Sequence, residues 1–334
     1  MGSLLSSALA TTLVSHSAIA DDTQSKPLQL ESCFVDGVSK QLQCGQLSVP
    51  ENWQSPTGNN LDLNIIVANA ISQSPQKDPL FLLMGGPGQA ASELVPGLLK
   101  IFHSVREDRD LVFIDQRGTG KSNPLVCDEE DGDIYEVLSS DFNVDDAKKC
   151  IASFDVDLSQ YNTNNAILDF DAVREALGYQ QINLYGISYG SRAAMVYMRE
   201  KPKALRSVIL DGVVPPQVVV GPMGIEAQRA FDILVEQCNN SETCQAKFPS
   251  FVADYQKIRA QLELAPIKTM IDHPVTDKPI ALNIDSKKFI NTLRNMLYSV
   301  GRRELLPFVV SEFAKGNYKP FVGLMSQSED STGG

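Results

Sequence analysis

The chain has 334 residues, a formal net charge of −12 and 43% hydrophobic residues. This length accommodates one large α/β domain with an insertion, or two domains, and the composition predicts a soluble globular protein with a sizeable core. The 29 basic and 41 acidic residues include no Lys/Arg-rich stripe with interleaved aromatics. Nucleic acid is therefore not an expected partner.

The first 20 residues predict a secretory signal peptide. Leu4 to Val14 is apolar but too short to span a bilayer, and Ala18-Ile19-Ala20 is a small-x-small cleavage site. No Lys or Arg precedes the apolar stretch, so either the true start lies upstream or the segment is not a signal. We expect export to the periplasm or the cell exterior, with no membrane partner.

Six cysteines form three pairs of near neighbours: Cys33 with Cys44, Cys127 with Cys150, and Cys238 with Cys244. None lies in a CxxC motif, and the sequence has no HExxH or Cys/His cluster, so no metal site is expected. Proximity favours these three disulfides, each worth roughly 2–4 kcal/mol if closed without strain. The alternative is six buried thiols in the cytosol, but the N-terminal signal favours an oxidising compartment.

The elements of a sheet follow. Residues 41–53 and 61–70 read as strands separated by Pro, Gly and Asn. Residues 78–86 and 110–118 are continuous apolar runs that end in glycines, which predicts central strands covered on both faces. The stretch 91–108 between them supplies a crossover helix.

A clear helix is predicted over 164–178. Asn164 is the expected N-cap and Gly178 the expected end. Next come a strand ending near residue 188, a helix and a strand over 205–212, so the order predicts a doubly wound α/β sheet. The apolar spacing of three and four that marks the helix is set by Ile167, Phe170, Val173 and Leu177.

The sequence pattern changes after residue 213. Residues 214–334 combine a connector, several helical patterns and a Pro- and Asp-rich stretch over 265–282. The predicted organisation is a signal peptide over 1–20, an α/β core over 21–213 and a helical cap over 214–334.

Ser188 stands in the sequence Gly-Ile-Ser-Tyr-Gly, at the junction between a predicted strand and a predicted helix. A G-x-S-x-G turn in this context exposes a serine nucleophile above the sheet edge. The backbone N–H of Tyr189 is then aimed at the developing oxyanion. The alternative is a glycine-rich turn whose serine merely caps the helix.

A second turn, Met-Gly-Gly-Pro-Gly over 84–88, ends an earlier buried strand. Its position suits the other oxyanion-hole donor, which we assign to the Gly86 amide; the alternative is an ordinary turn. The stretch 115–122 contains Gly-Lys-Ser, but Asp115 occupies the place where a phosphate loop needs glycine. We expect Asp115 or Arg117 to brace the rim of the active site, or to be only structural.

With these motifs in place, the chain resembles the α/β-hydrolase peptidases that include prolyl aminopeptidases and tripeptidyl aminopeptidases. The resemblance rests on the order and spacing of 85–88, 115–122, 186–192 and 205–216. It implies a peptide substrate, no cofactor, Ser188 as nucleophile, and Gly86 and Tyr189 as oxyanion hole. Met84 stands where prolyl aminopeptidases carry histidine, which favours the exported, tripeptidyl-type branch.

The general base is missing from the motifs. In this fold the order is Ser, Asp, His, and the only histidine after Ser188 is His273, expected to be exposed on a loop. His16 and His103 do not suit, and Asp211 is expected to shape the turn into the cap. The resemblance therefore predicts an N-terminal fragment that lacks the last core strands with their catalytic Asp and His, and is inactive alone.

Two other functions stay open: an esterase or lipase on the same scaffold, and a non-catalytic truncated product. Acidic cap residues that bind a substrate α-amino group would favour the peptidase, and an apolar cap groove the lipase. The acidic candidates in the cap are Glu226, Asp232 and Glu236. The sequence leaves the oligomeric state open.

Overall fold

The computed structural model describes residues 28–127, 135, 138, 143–219, 221 and 223–330. A seven-stranded sheet in the order β1-β2-β3-β5-β4-β6-β7 organises the first part of this chain. Strands β1 to β3 and β5 pair antiparallel, whereas β5, β4, β6 and β7 pair parallel. The strands are β1 Glu31–Cys33, β2 Leu42–Pro50, β3 Asn60–Ala68, β4 Leu80–Leu83, β5 Leu111–Ile114, β6 Ile182–Ile187 and β7 Leu205–Asp211.

Helices cover both faces of this sheet, as the continuous apolar runs predicted. The four residues of β4 and the four of β5 are all buried. Alternate residues of β4 point to opposite faces, so Leu80 and Leu82 pack with α1, while Phe81 and Leu83 pack with α4 and α5. The helices are α1 Val95–Ile101, α2 His103–Arg106, α3 Val144–Ser153, α4 Thr163–Ala176 and α5 Tyr189–Glu200.

The predicted N-cap residue of helix α4 was wrong by two positions. Asn162, not Asn164, has the extended backbone of an N-cap, and its side chain accepts from the Asn165 amide. Gly178 ends the helix as predicted, because its φ of +78° is a conformation that glycine adopts without a Cβ clash.

The segment after residue 223 forms its own apolar cluster. Phe289 is central to it, with ring centres 5.1 Å from Phe313 and 5.6 Å from Phe321. Leu138 also packs in this cluster, although it precedes the predicted boundary at residue 213. The elements are α6 Gly224–Asn239, α7 Glu242–Lys247, α8 Phe251–Leu264, β8 Ile267–Asp272, β9 Pro279–Ile284, α9 Ser286–Met296, α10 Val300–Arg303, α11 Leu306–Ala314 and α12 Lys319–Asp330.

The cap is not entirely helical. The Pro- and Asp-rich stretch contains an antiparallel hairpin of β8 and β9, where Ile271 pairs with Ile280. Ile267, Ile271, Leu282 and Ile284 are buried in the cap cluster. Turn residues dominated the sequence pattern here and concealed the two short strands around them.

Disulfides link Cys33 to Cys44, Cys127 to Cys150, and Cys238 to Cys244, which are the pairs that sequence proximity predicted. The first joins β1 to β2, and the third joins the end of α6 to α7. Across the described ranges, no helix is both long enough and apolar enough to cross a membrane.

A buried carboxylate, Asp171, ties α4 to α5. Arg174 donates to it at 2.6 Å, Lys201 pairs with it at 2.7 Å and the Tyr197 hydroxyl donates at 2.8 Å. Burial alone would raise the pKa of Asp171, but these partners hold it below its ordinary value. Stabilisation by the charged form is thus present above the unfolded pKa and is lost as the pH falls through the lower folded value.

We expect Asp171→Asn to lower the free energy of unfolding by about 1–3 kcal/mol at neutral pH, because two cations lose a charged acceptor. Urea denaturation measures this change, and the difference from the wild type shrinks as the pH falls below about 4. Asp145→Asn is the control, since its pair with Lys148 is exposed and contributes at most about 1 kcal/mol. Equal losses in the two variants would contradict the assignment.

Candidate active site

Ser188 lies on a strained turn between β6 and α5. Its φ of 55° and ψ of −120° put a non-glycine residue in the positive-φ region, which costs of order 1–3 kcal/mol. The turn is held because the Ser188 amide donates to the Asp211 carbonyl at 2.8 Å, at the end of β7. The backbone thus has the geometry expected of a nucleophile-bearing turn.

Two glycines allow this turn to pack. A Cβ on Gly190 would lie 2.0 Å from the Leu83 carbonyl oxygen, and a Cβ on Gly186 would lie 2.4 Å from the Gly190 oxygen. Any side chain at either position would force β4, β6 and α5 apart. The G-x-S-x-G pattern is therefore a packing requirement at the carboxyl edge of the sheet.

The 85–88 turn faces Ser188. A Cβ built on Gly85 would lie 3.2 Å from the Ser188 Cβ and 3.6 Å from its Oγ. Gly86 has a φ of +104°, which suits glycine, and its bond to Pro87 is cis. The two turns are thus in van der Waals contact.

Gly86, Ser188 and Tyr189 line one cavity of about 410 Å³ between the sheet edge and the cap. Neither the Gly86 amide nor the Tyr189 amide donates to another residue that the structure describes. Tyr189 is the first residue of α5, where an amide has no intrahelical acceptor. The three residues that the sequence singled out for acyl transfer therefore meet at one place, with two amides available.

The cap supplies most of the cavity wall. Its charged and polar members are Glu226, Arg294 and Tyr298, whereas Asp232 and Glu236 lie on exposed parts of α6 outside the lining. The other cap and connector residues in the wall are apolar: Val214, Val218, Val219, Met223, Ala227, Ala230 and Leu297.

Asp115 is fully buried behind the site and does not line the cavity. It accepts from the Ser92 amide and hydroxyl, each at 2.8 Å, and from the Lys121 amide at 3.1 Å. It thereby ties the segment after the 85–88 turn to the end of β5. A Cβ on Gly120 would lie 2.5 Å from its Oδ2, which explains the glycine there.

Arg117 faces away from the cavity. It binds Asp169 through Nε at 2.7 Å and Nη2 at 2.6 Å, and it donates to the Glu51 carbonyl at 2.6 Å. Trp53 also donates to Asp169, at 2.9 Å. Arg117 thus joins the end of β2 to α4 in the interior of the core.

Asp211 does not contact Ser188 through its carboxylate. That carboxylate accepts from the Tyr185 hydroxyl at 2.6 Å, while its backbone carbonyl holds the Ser188 amide. Burial, and then the hydrogen bond to this carboxylate, raise the pKa of Tyr185 to about 12. These contacts tie the end of β7 to β6 and to the Ser188 turn. The role that the sequence suggested, shaping the turn into the cap, stays a prediction.

Two residues that follow the nucleophile escaped the sequence analysis. Ser191 Oγ donates to the Ser188 carbonyl at 2.6 Å and accepts from the Val214 amide at 2.9 Å. Arg192 donates to the Pro215 carbonyl at 3.0 Å and to the Val218 carbonyl. Both attach the cavity wall to the first turn of α5. The sequence feature that could have revealed them is a pair of polar residues on the inward face of the helix that follows the nucleophile motif.

The described histidines lie elsewhere. His103 is exposed, with Nδ1 3.9 Å from a Glu107 oxygen. The expectation that His273 is exposed was wrong: it is 8% exposed, and its Nδ1 accepts from the Val275 and Thr276 amides in the turn after β8. Neither lines the Ser188 cavity. His16 lies outside the described residues.

Metal ligation has no candidate in the part of the chain described, where no group of three or more His, Cys, Asp or Glu side chains could hold an ion.

Comparison with known proteins supports the fold assignment. A family model described as the alpha/beta hydrolase fold matches residues 78–245, which is half of the chain. The match begins just before β4 and includes Ser188. The chain belongs to the α/β-hydrolase family.

Several curated relatives are similar over part of their length. Serine protease Hip1 of Mycobacterium tuberculosis is 30% identical over 204 residues, covering 56% of this chain and 38% of Hip1. Tripeptidyl aminopeptidase of Streptomyces lividans is 27% identical over 208 residues, covering 56% and 38%. Proline iminopeptidase of Neisseria gonorrhoeae is 26% identical over 144 residues, covering 42% and 34%. The matched part of this chain thus spans little more than a third of these relatives.

We expect Gly190→Ala to destabilise the fold by about 3 kcal/mol, because its Cβ would overlap the Leu83 carbonyl oxygen, which belongs to rigid backbone. Chemical denaturation measures the loss. Gly97→Ala is the control: it lies within α1 with nothing within 4 Å of its Cβ, and the change should stabilise by about 0.5–1 kcal/mol. Gly190→Ala with wild-type stability would contradict the close approach of β4 and α5.

Proposed function

We propose that this chain hydrolyses acyl bonds through an acyl-enzyme on Ser188. The observation that carries the proposal is the contact between the strained Ser188 turn and the 85–88 turn, beside two amides that donate to no residue the structure describes. The hydroxyl oxygen attacks the substrate carbonyl carbon as a base takes its proton, and the Gly86 and Tyr189 amides stabilise the oxyanion. The leaving group departs with a proton, and water then releases the acyl group.

The proposed substrate is a peptide with a free N-terminus, cut near that end. Two observations support it: the relatives bear the names of a serine protease, a tripeptidyl aminopeptidase and a proline iminopeptidase, and Glu226 lines the Ser188 cavity. A carboxylate there can pair with a protonated α-amino group. Arg229 already contacts Glu226 at 2.9 Å, but both side chains are largely exposed, so their pairing competes weakly.

A base is needed for full activity, and neither described histidine lines the cavity. We therefore propose that the 334 residues turn over substrate only slowly by themselves. Removing a triad member costs up to about 10⁶ in rate in subtilisin.

An esterase or lipase is the second candidate, favoured by the apolar wall formed by Val214, Val218, Val219 and Leu297. Such a wall accepts an acyl chain as readily as an apolar side chain, and the same turn and amides serve esters. Relative rates on matched ester and peptide substrates separate the two candidates.

The proposed compartment is oxidising, either the periplasm or the cell exterior. Three disulfides support it, because such bonds are rare in the reducing cytosol.

Imidazole rescue tests the catalytic proposal. We expect the chain to hydrolyse a tripeptide p-nitroanilide with a free amine slowly, and the rate to rise at least about tenfold when imidazole supplies a proton acceptor. The rescued rate should vanish in Ser188→Ala and fall when the amine is acetylated. A p-nitrophenyl ester is run in parallel, and Ser159→Ala, a substitution on the surface, is the control.

Imidazole-dependent hydrolysis that survives Ser188→Ala would refute the nucleophile. Normal turnover without imidazole would show that the chain holds its own base, and would refute the proposal of slow turnover. Equal rates for the free and acetylated peptides would refute recognition of the N-terminus, and turnover of the ester alone would favour the esterase.

A further inference from the structure

Arg294 brings a positive charge to the mainly apolar wall of the Ser188 cavity. It lies in the last turn of α9. Its Nη2 donates to the Met223 Sδ at 3.2 Å, and its Cζ lies 5.9 Å from the centre of the Tyr298 ring. A thioether is a weak acceptor and a ring face accepts little more, so most of the five N–H donors of the guanidinium have no acceptor among the described residues.

The neighbouring arginines of the cap differ. Arg229 on α6 has the carboxylate of Glu226 at 2.9 Å, and Arg259 on α8 has that of Glu263 at 3.6 Å. Arg294 makes no ion pair with any residue in the described ranges. A guanidinium without a carboxylate partner, half-buried among apolar groups, favours an external anion.

The position of Arg294 restricts where that anion comes from. It also lines a second cavity of about 370 Å³, which shares Met223, Ala227 and Leu297 with the first. Arg294 thus stands in the wall between the two spaces, at the cap side, while Ser188 stands at the sheet edge. A substrate held at Ser188 and extending toward the cap would reach it.

The net charge of the chain indicates that an anion would bind at Arg294 through specific hydrogen bonds. The net charge of −12 repels anions from the molecule as a whole. An anion therefore gains at this place only through local, bidentate hydrogen bonds to the guanidinium. Glu226 in the same wall offers the opposite charge, so the cavity matches a ligand with separated positive and negative ends.

We infer that Arg294 binds a carboxylate of the substrate while the scissile carbonyl lies at Ser188, and so selects carboxylate-bearing peptides. The carboxylate is either an acidic side chain or the C-terminal carboxyl of a short peptide. This inference rests on the proposed function only in placing a peptide in the Ser188 cavity.

Calorimetric binding to the Ser188→Ala chain tests it, because peptides stay intact there. Two ligand pairs share a free amine: a tetrapeptide amide with Glu or Gln at its third position, and a tripeptide with a free or amidated C-terminus. We expect the carboxylate member of one pair to bind about tenfold more tightly or better. The Glu pair reports a side chain, and the acid–amide pair reports the C-terminus.

Adding Arg294→Gln should abolish this preference, and Arg294→Lys should retain part of it, since lysine keeps the charge without the planar fork. Arg199→Gln, also in the Ser188→Ala background, is the control and should keep the preference in full, because Arg199 pairs with Glu200 on an exposed part of α5 and lines neither cavity. Thermal denaturation identifies variants that fail to fold. If Arg294→Gln is one of them, a reduced carboxylate preference in Arg294→Lys supports the inference in its place.

The inference is overturned if the Ser188→Ala chain binds neither pair, shows no preference in either, or keeps its preference after Arg294→Gln. These outcomes are distinct from failure of the proposed function. Binding does not need the Ser188 hydroxyl, so a chain that selects carboxylates but shows no hydrolysis dependent on Ser188 would leave the inference standing and remove the proposed reaction.

Discussion

The close approach of three backbones at the sheet edge is the constraint on which the site depends. Gly190 lies against the Leu83 carbonyl and Gly186 against Gly190, at distances where a Cβ would overlap backbone atoms. This approach sets α5 directly on the ends of β4 and β6. It brings the 85–88 turn against Ser188, and the strain at Ser188 persists because the surrounding packing and the Asp211 carbonyl fix its backbone.

The sequence predicted the parts of this arrangement that are local. Continuous apolar runs indicated β4 and β5, glycine spacing indicated the Ser188 turn, and sequence proximity indicated the disulfide pairs. In each case the information lies within a few residues and follows from sterics or chain connectivity. Even the two turns that meet could be paired, because parallel strands end at the same edge of a sheet.

Contacts between distant segments could not be predicted in the same way. The destination of Arg117 depends on Asp169, 52 residues later. The burial of His273 depends on a hairpin whose strands are only six residues long each. Arg294 has no motif around it, and its place in the cavity wall follows from how α9 packs against the connector. The sequence shows which side chains are charged or polar, but tertiary packing decides which partners those side chains meet.

The Ser191 hydroxyl links the turn that carries the nucleophile to the connector that leads into the cap. It holds the carbonyl of the reactive turn on one side and the first amide of the connector on the other, while Arg192 fastens the same connector at Pro215 and Val218. The roof of the pocket is thus anchored to the helix that carries the nucleophile. The connector is therefore held, as far as Val218, by the same helix that positions Ser188.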